Sequence, residues 1–493
     1  MNRSLVVLLI GFAPLTAARP DEKDDWTGEW VLPRKEKVPF CDKDGKPLGA
    51  SFISTGKVLS MEKTHLQIRN SQSRGPHEGY VLKTDVVKLA DAPAFFTNTI
   101  RTEGKSAWAW RMRGEAWLVK KEYDRAIQDF TEAIRLDPKD ASSLLDRGEA
   151  WTYKTDFDKA MKDFDEAIQL DPKNANAFLC RGNAWALKLE NNKALQDYDE
   201  AIRLDPKNAL AFAERGLTWA EQGEYDKAMK DFDEAIRLDP KDAHVFSNRG
   251  STWSQQGKFE KAIKDYTEAI RLDPKDANIF AIRGNAWIHK KEYNKAIKDF
   301  TEAIRLDPKE ANVFAIRGNT WIHKKEYDKA IKDFTEAIRL DLKDIRVFVN
   351  RGAAWAYKKE YDKAIEDFTE AIRLDPKFPD AYTGRGSSWA YKMEYDKAIK
   401  DYTKAVQLDP DFAPAFNGRG LVWVAQKEYD KAIEDFTEVI RCNPDDLSAF
   451  LSRADAGSPR RSTRRRSQIT PWSSDSIRTS RPRSTPVGMR GQP

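Results

Sequence analysis

Cysteine and histidine are scarce in this chain of 493 residues, which has three cysteines and five histidines. Cys41, Cys180 and Cys442 are too few and too far apart to form a disulfide framework. His289 and His323 have no third ligand beside them, so they make a poor metal site. A glycine-rich phosphate loop, a Gly-x-Ser-x-Gly motif and a paired-cysteine motif are also missing. We therefore predict no catalytic residue, no cofactor and no metal.

Long hydrophobic runs are missing as well, apart from residues 5–12 near the start of the chain. This run follows a positive Arg3 and precedes the small residues Thr16, Ala17 and Ala18, which is typical of a signal peptide over residues 1–18. The run is too short to span a bilayer as a helix, and no second one follows. We expect export to the periplasm or cell envelope, or secretion, and no membrane span. An uncleaved anchor is the alternative.

A strong charge of one sign is absent from most of the chain. The net charge is +5, but residues 457–493 contain nine arginines against one aspartate, so the rest of the chain is close to neutral. The main part therefore has no basic field of the kind that binds nucleic acid, and we predict no nucleic-acid partner.

A repeat with a period of 34 dominates the chain. The pair Arg-Gly recurs ten times, from Arg113-Gly114 to Arg419-Gly420, and a tryptophan follows each glycine one helical turn later, from Trp117 to Trp423. No insertion or deletion breaks the spacing. A fixed period of this length indicates stacked supersecondary units.

Each unit reads as two antiparallel helices. In residues 175–208, Phe178, Gly182 and Trp185 fall on one helical face, and Ala194, Tyr198 and Ala201 fall on a second one. Pro206 then ends the second helix, because proline has no N–H and clashes with the preceding turn.

This unit resembles the tetratricopeptide repeat, in which the tryptophan, small glycine, small alanine, aromatic residue, alanine and proline have the same spacing. The resemblance covers residues 107–446 and implies a mainly α fold, a right-handed α-α superhelical solenoid of ten repeats. Residues 92–106 read as an N-terminal half-repeat helix, and residues 447–456 as the start of an eleventh repeat. Leu342 replaces the closing proline of the seventh repeat, so we expect its second helix to run on.

Residues 25–90 differ in kind, with short strand-like segments separated by turns such as Asp44-Gly45. We predict a small β-barrel. Gly79-Tyr80-Val81, followed by Asp85 and Val86, resembles the ending of bacterial Src-homology-3-like domains. That family often binds peptides or cell-wall material, which gives an alternative function: wall binding by the barrel, with the solenoid as a spacer.

The arginine of each Arg-Gly pair recurs together with an aspartate at a fixed position of the second helix, as in Arg181 with Asp197 and Arg283 with Asp299. The pairs are either a charged row for a ligand or a structural ladder between helices. We favour the structural role, because invariance within one chain suits packing better than recognition.

By resemblance, a partner protein or peptide binds in the concave groove, which the first helix of each repeat lines. The resemblance to chaperone-tail binders is weak, since no three successive repeats show their Lys, Asn and Arg set. The candidate groove residues vary between repeats and are small, polar or aromatic. They are Asn176, Leu179, Asn183, Leu187, Asn278, Asn285, Ile288, His289, Asn312, Asn319, His323, Arg346, Tyr357, Asp380, Ser387 and Tyr391.

Residues 457–493 abruptly lose Lys and Glu and become rich in Arg, Ser and Pro. We expect this tail to be disordered, and we interpret it as an out-of-frame piece of the solenoid; a true basic tail that binds an acidic partner is the alternative. The out-of-frame interpretation can be checked on the protein sequence. Joining the third base of each codon to the first two bases of the next gives the codons of the shifted frame, and the visible residues restrict which amino acids those codons can encode.

In that shifted frame the repeat can continue in register. Position 457 can read Trp, one repeat period beyond Trp423, and positions 469–470 can read Asp-Tyr. Positions 476–478 can read Leu-Asp-Pro, with the proline one period beyond Pro444. Positions 487–491 can read Arg-Gly-Asn-Ala-Trp, with the arginine one period beyond Arg453. Codon degeneracy allows single matches, but so many in register indicate a slip after Ala456.

Overall fold

The computed structural model describes residues 27, 29–35, 39–41, 47–52, 56–62, 65–70, 78–340 and 343–457. The described residues belong to two compact units, one before and one after the boundary between Pro274 and Lys275. The predicted signal peptide and the arginine-rich tail lie outside the described residues.

The first unit begins with a seven-stranded antiparallel sheet of order β3-β2-β6-β5-β4-β1-β7. A short 3-10 helix over Lys83–Asp85 precedes the last strand. The described pairings place β3 and β7 at the two edges, so closure into a barrel and the Src-homology-3 likeness stay predictions. The strands are β1 Trp30–Pro33, β2 Pro39–Cys41, β3 Pro47–Phe52, β4 Gly56–Glu62, β5 His65–Asn70, β6 Glu78–Leu82 and β7 Val86–Lys88.

Helices fill the rest of the first unit. The first helix, α1, covers Ala92–Glu103, and five helix pairs follow it. They are α2 Ala107–Val119, α3 Tyr123–Leu136, α4 Ala141–Tyr153, α5 Phe157–Leu170, α6 Ala175–Leu187, α7 Asn191–Leu204, α8 Ala209–Glu221, α9 Tyr225–Leu238, α10 Ala243–Gln255 and α11 Phe259–Leu272.

The second unit contains five more pairs and one further helix. They are α12 Ala277–His289, α13 Tyr293–Leu306, α14 Ala311–His323, α15 Tyr327–Arg339, α16 Ile345–Tyr357, α17 Tyr361–Leu374, α18 Pro379–Tyr391, α19 Tyr395–Leu408, α20 Ala413–Ala425, α21 Tyr429–Cys442 and α22 Leu447–Gly457. The predicted helical solenoid is thus confirmed.

The sheet and the helices of the first unit share a core. Leu32 of β1 and Val87 of β7 are buried against Phe96 of α1 and Met112 of α2. The Phe96 ring also meets Trp108 edge to face, with ring centroids 5.7 Å apart. Because these side chains are apolar and fully or almost fully buried, they tie the strands to the start of the helical stack.

Local signals set the helix ends. The first helix of most pairs begins after a polar cap; the side chain of Asn174, for example, accepts a hydrogen bond from the Asn176 N–H. The turn inside each pair needs a left-handed residue, which Gly223 and Gly257 supply at φ 82° and 73°. Eight repeats use other residues there, such as Leu189 at φ 68°.

Each second helix buries an aromatic ring against a glycine of the first helix. A Cβ added at Gly284 would lie 2.7 Å from Cε1 of Phe300, and one at Gly182 would lie 2.7 Å from Cε1 of Tyr198. The glycine therefore allows the two helices to approach closely, and the ring fills the space between them.

One expectation about a helix end is wrong. The second helix of the seventh repeat does not run on past Leu342; α15 ends at Arg339, before the position where its equivalents end. The Leu340 N–H turns back to the carbonyls of Glu336 and Ile338. Asp344 then caps α16 through the Arg346 N–H. Leu340 packs against the core that Phe334 of α15 shares with Val347 of α16, so the chain turns towards α16 at this residue.

The recurring arginines form an arginine ladder with the recurring aspartates. Arg181 donates to both carboxylate oxygens of Asp197 at 2.7 and 2.8 Å, and Arg283 does so to Asp299 at 2.8 Å each. Arg181 also donates to Asp165 of the preceding repeat at 2.6 Å. The guanidinium thus joins three helices. The other eight such pairs are Arg113–Asp129, Arg147–Asp163, Arg215–Asp231, Arg249–Asp265, Arg317–Asp333, Arg351–Asp367, Arg385–Asp401 and Arg419–Asp435.

Candidate protein-binding face

The predicted groove residues all lie on first helices: α6 in the first unit, and α12, α14, α16 and α18 in the second. We call the accessible members the candidate face. Two predicted residues do not belong to it. Leu179 is 1% exposed and packs against Tyr198, and Ser387 is 4% exposed. Both were placed in the groove by their repeat position, but the second helices cover them.

Ser387 and Asn183 satisfy buried tyrosine hydroxyls. The Tyr198 O–H donates to Asn183 Oδ1 at 2.9 Å, and the hydroxyls of Ser387 and Tyr402 are also 2.9 Å apart. Ser251 does the same for Tyr266 at 3.2 Å. These polar residues follow from the choice of tyrosine over phenylalanine in the second helix, because a buried hydroxyl needs a partner.

Asn285 and Asn319 occupy the same repeat position opposite Phe300 and Phe334, which have no hydroxyl to satisfy. Asn319 instead accepts a hydrogen bond from Asn350 Nδ2 at 2.8 Å. The part of the chain that the structure describes gives the Asn285 side chain no hydrogen bond, and this side chain is half-buried. Its amide can therefore both donate to and accept from a peptide backbone.

The remaining polar members are tied to helix starts or lie exposed. Asn176 and Asn278 donate their backbone N–H to the caps of α6 and α12. Asn312 Nδ2 donates to Glu310 at 2.9 Å, and Arg346 pairs with Asp344 at 2.5 Å. Burial raises the pKa of Asp380.

Three further members of the candidate face differ in exposure: Leu187 and His289 are exposed, and Ile288 is half-buried.

Three stacked aromatic pairs mark the second unit, and we call them the aromatic row. Each pair joins the start of one second helix to the end of the next first helix. Their centroids lie 4.9 to 5.1 Å apart and their planes within 11° of parallel. The pairs are Tyr293–His323, Tyr327–Tyr357 and Tyr361–Tyr391. Tyr293, Tyr327 and Tyr361 were missed by the sequence analysis, although each precedes a predicted member at the same spacing.

Burial favours the uncharged form of several rings in the aromatic row. Burial, with the neighbouring Tyr327 and Tyr391, raises the pKa of Tyr357 to about 12. Burial lowers the pKa of His323 below its usual 6.5. Tyr391 remains 39% exposed. The row therefore offers apolar ring surface with polar tips to a partner.

The first helices of the first unit carry an acidic cluster, which the sequence analysis also missed. Arg111 donates to Asp146 at 2.8 Å and to Glu115 at 3.0 Å, so one cation faces several carboxyl groups. Burial and the nearby carboxylates raise the pKa of Asp146 to about 7 despite this ion pair. Burial also raises the pKa of Glu149, which accepts from the Tyr153 hydroxyl at 3.3 Å.

Glu214 on α8 is a further buried acid, 7% exposed. The described residues give its carboxyl group neither an ion pair nor a hydrogen bond. Burial, with Asp242 and Glu221 nearby, raises its pKa from 4.5 to about 8. Glu214 is therefore largely protonated at neutral pH.

The described residues show neither a metal site nor a membrane-spanning helix. They contain no group of three or more His, Cys, Asp or Glu side chains arranged to hold a metal ion. None of their helices has the length and apolar character needed to cross a bilayer.

Family comparison agrees with the repeat. Four family models, each described as tetratricopeptide repeat, match the chain and together cover more than half of it. They match residues 107–140, 141–174, 189–243, 243–276, 277–310, 345–378, 379–412 and 413–446. The chain therefore belongs to the tetratricopeptide-repeat proteins. Proteins of this kind are typically non-enzymatic scaffolds for protein interactions.

Several solved structures match this chain. A tetratricopeptide repeat protein from Parabacteroides merdae is 21% identical, with 50% of this chain and 98% of that chain covered and a TM-score of 0.41. Yeast Tom70 is 16% identical, with 76% and 93% covered and a TM-score of 0.36. YrrB, described as having an unusual peptide-binding site, is 23% identical, with 38% and 97% covered and a TM-score of 0.33. No curated protein matches the chain.

Proposed function

We propose that the chain is a scaffold that binds an extended segment of a partner protein along the candidate face of its second unit. The aromatic row carries this proposal, because three consecutive stacked pairs place partly exposed rings at a regular spacing. Rigid tyrosines bury a large area at low entropic cost, which suits them to protein recognition.

Asn285 supports the same function one repeat earlier. Its half-buried amide lies on α12 and has no hydrogen bond within the described residues. An extended segment has unpaired backbone groups, and an amide side chain can pair with them. The aromatic row would then supply the contacts for the side chains of the partner.

The test compares proteins captured from an extract of the source cells by three forms of the full chain. The double variant Tyr357→Ala and Tyr391→Ala removes exposed rings of the row. Tyr153→Ala is the matched control, because Tyr153 stacks on Tyr123 in the other unit with centroids 5.3 Å apart. We expect proteins that bind the wild type and the control but not the double variant. Equal capture by all three forms would refute the proposal.

Export is proposed on the residues of the signal-like segment. The mature chain would then begin at Arg19, and mass spectrometry of its N-terminal peptide would show it. A chain that retains residues 1–18 would instead support the uncleaved anchor. Wall contact through residues 25–90 stays a prediction.

A further inference from the structure

Helix α22 has the repeat position of a first helix, and the described residues include no second helix after it. Its Ala449, Phe450 and Arg453 lie one repeat period beyond Ala415, Phe416 and Arg419 of α20. Ala449 and Ala456 are only 1% and 2% exposed where α22 packs against α21. One side of α22 therefore packs against the preceding helix as the other first helices do.

The described residues leave the other side of α22 uncovered. Leu451 is 59% exposed, whereas Leu179, at the same position of its repeat, is 1% exposed. Leu179 owes its burial to Tyr198 and Ala194 of its own second helix and to Ala211 of the next repeat. Within the described residues, Leu451 has no equivalent second helix and no following repeat to pack against, which accounts for its exposure there.

Arg453 gives an independent sign of the same gap. It stacks over Phe450 with 5.5 Å between the guanidinium carbon and the ring centroid, as Arg419 does over Phe416 at 5.6 Å. Every earlier ladder arginine pairs with the aspartate of its own second helix, but the described residues give Arg453 no carboxylate. The chain has Ile469 where that aspartate would stand. An aspartate at this position of a second helix would therefore pair with the Arg453 guanidinium, as in the earlier repeats.

The shifted reading frame supplies that aspartate. It can read Asp-Tyr at positions 469–470, the spacing of Asp197-Tyr198. It can also close a second helix with Leu-Asp-Pro and then open a twelfth repeat with Arg-Gly-Asn-Ala-Trp, which is the sequence of residues 181–185 and 283–287. We propose that the open face of α22 is the docking site for the second helix of an eleventh repeat, encoded in the frame that begins at the third base of codon 456.

Two other occupants fit the face less well. The present tail carries nine arginines and one aspartate, so it would bring positive charge towards the unpaired Arg453. A second copy of the chain would have to present a carboxylate at the Arg453 guanidinium and an aromatic ring against α22. The ladder aspartates of the described repeats already have arginine partners.

The nucleotide sequence gives the first test. Translated in the frame that begins at the third base of codon 456, the gene must encode the Asp-Tyr, Leu-Asp-Pro and Arg-Gly-Asn-Ala-Trp segments. Any other translation of that frame overturns the proposal. The second test inserts one base at codon 456, so that the eleventh and later repeats are translated. Amide exchange of α22 is then compared with that of α20 in the existing and the restored full chains.

In the existing chain we expect α22 to exchange at least about tenfold faster than α20, and in the restored chain we expect the two to be equally slow. A chain ended after Gly457 should behave like the existing one. If ending the chain there accelerates exchange in α22, the present tail covers it and the proposal fails. If the existing chain forms dimers and Leu451→Asp makes them dissociate, a second copy of the chain covers α22. That outcome also overturns the proposal.

A matched pair of variants tests the ion pair itself. In the existing chain, Arg419→Leu should lower the unfolding midpoint and Arg453→Leu should leave it unchanged. In the restored chain, Arg453→Leu should lower protection of α22, because it then breaks a pair. If the restored second helix slows amide exchange in α22 but Arg453→Leu does not change that exchange, the proposed pairing of the aspartate with Arg453 is wrong.

Discussion

At the scale of the residue, each ladder arginine binds the aspartate of its own second helix, and most of them, such as Arg181 and Arg351, also bind the second helix of the repeat before. The bonds to the preceding repeat go to aspartates in part of the first unit, such as Asp165, and to threonines in the second, such as Thr335. The paired carboxylates, such as Asp197, are almost completely buried. Removing the arginine therefore leaves an unpaired buried carboxylate. The loss of stability is then larger than the net stability that the ion pair provides relative to a pair of apolar side chains.

Arg181→Leu should destabilise the chain by about 1–3 kcal/mol, because Asp197 is left buried without its partner. Adding Asp197→Leu should recover much of the loss. The free energies of unfolding of the four forms give the coupling in a double-mutant cycle. Lys188→Ala is the control: its pair with Asp158 is exposed, so its effect should stay below about 0.5 kcal/mol. Additive losses from the two leucine variants would show that the pair does not interact.

Glu214→Gln should stabilise the chain at pH 8 by about 1–3 kcal/mol and have little effect near pH 5. The pKa of the carboxyl is raised in the folded state, so the folded chain binds more protons than the unfolded one between pH 4.5 and about 8. Stability from this group is therefore lost as the pH rises through that range. Denaturant midpoints of both forms at each pH would show the divergence, and parallel curves would contradict it.

Residue roles were only partly predictable. The pairing of Arg181 with Asp197 follows from their strict co-occurrence, but the burial of Leu179 and Ser387 does not follow from repeat position alone. Their burial depends on the size of the neighbouring side chains, which differs between repeats. The aromatic row could have been found by searching for aromatics slightly less than one repeat apart, a spacing that the repeat period conceals.

At the scale of the element, the glycines set how closely helices approach. Phe368 of α17 lies between Gly352 of its own repeat and Gly384 of the next. A Cβ at Gly384 would lie 2.3 Å from Cε1 of Phe368, whereas one at Gly352 would lie 3.2 Å away. The first distance requires the ring or the helix to move, and the second requires only a small shift.

Gly384→Ala should therefore destabilise the second unit by about 1–3 kcal/mol through overpacking. Gly352→Ala is the matched control. Its gain in helix propensity, of about 1 kcal/mol, should offset a milder clash and leave its effect near zero. Unfolding midpoints of the two variants would be compared with the wild type. Equal destabilisation by both would show that the close approach at Gly384 is not the cause.

Element boundaries were predictable where a side chain sets them and not where packing does. Most second helices end near Asp-Pro pairs, and α21 near Asn443-Pro444, as their sequences indicate. Helix α15 ends without a proline, just before Leu340, which packs against the core shared with α16. The strands of residues 30–88 alternate too weakly to give their order. Their pairing joins segments far apart in sequence, such as β1 with β7, which no local signal encodes.

At the scale of the whole molecule, the two units differ in their buried acids. In the first unit the pKa of Asp146 is raised to about 7 and that of Glu214 to about 8, and the pKa of Glu149 is raised as well. In the second unit the pKa values of Asp367 and Asp435, which are paired with ladder arginines, and of Asp380 are also raised, but by less. The first unit thus keeps more carboxyl groups protonated in its folded state.

The two units should consequently respond differently to pH. Since the folded first unit binds more protons than its unfolded form between about pH 4 and pH 8, its stability should fall as the pH rises through that window. The second unit should lose less, because the pKa values of Asp367, Asp380 and Asp435 are raised less than those of Asp146 and Glu214. Amide exchange, corrected for the intrinsic pH dependence, would report opening free energies for α8 and α16 separately. We expect protection of α8 to fall from pH 5 to pH 8 while that of α16 changes little, and Glu214→Gln should flatten the response of α8. Equal loss in both helices would show that these carboxyl groups do not control stability.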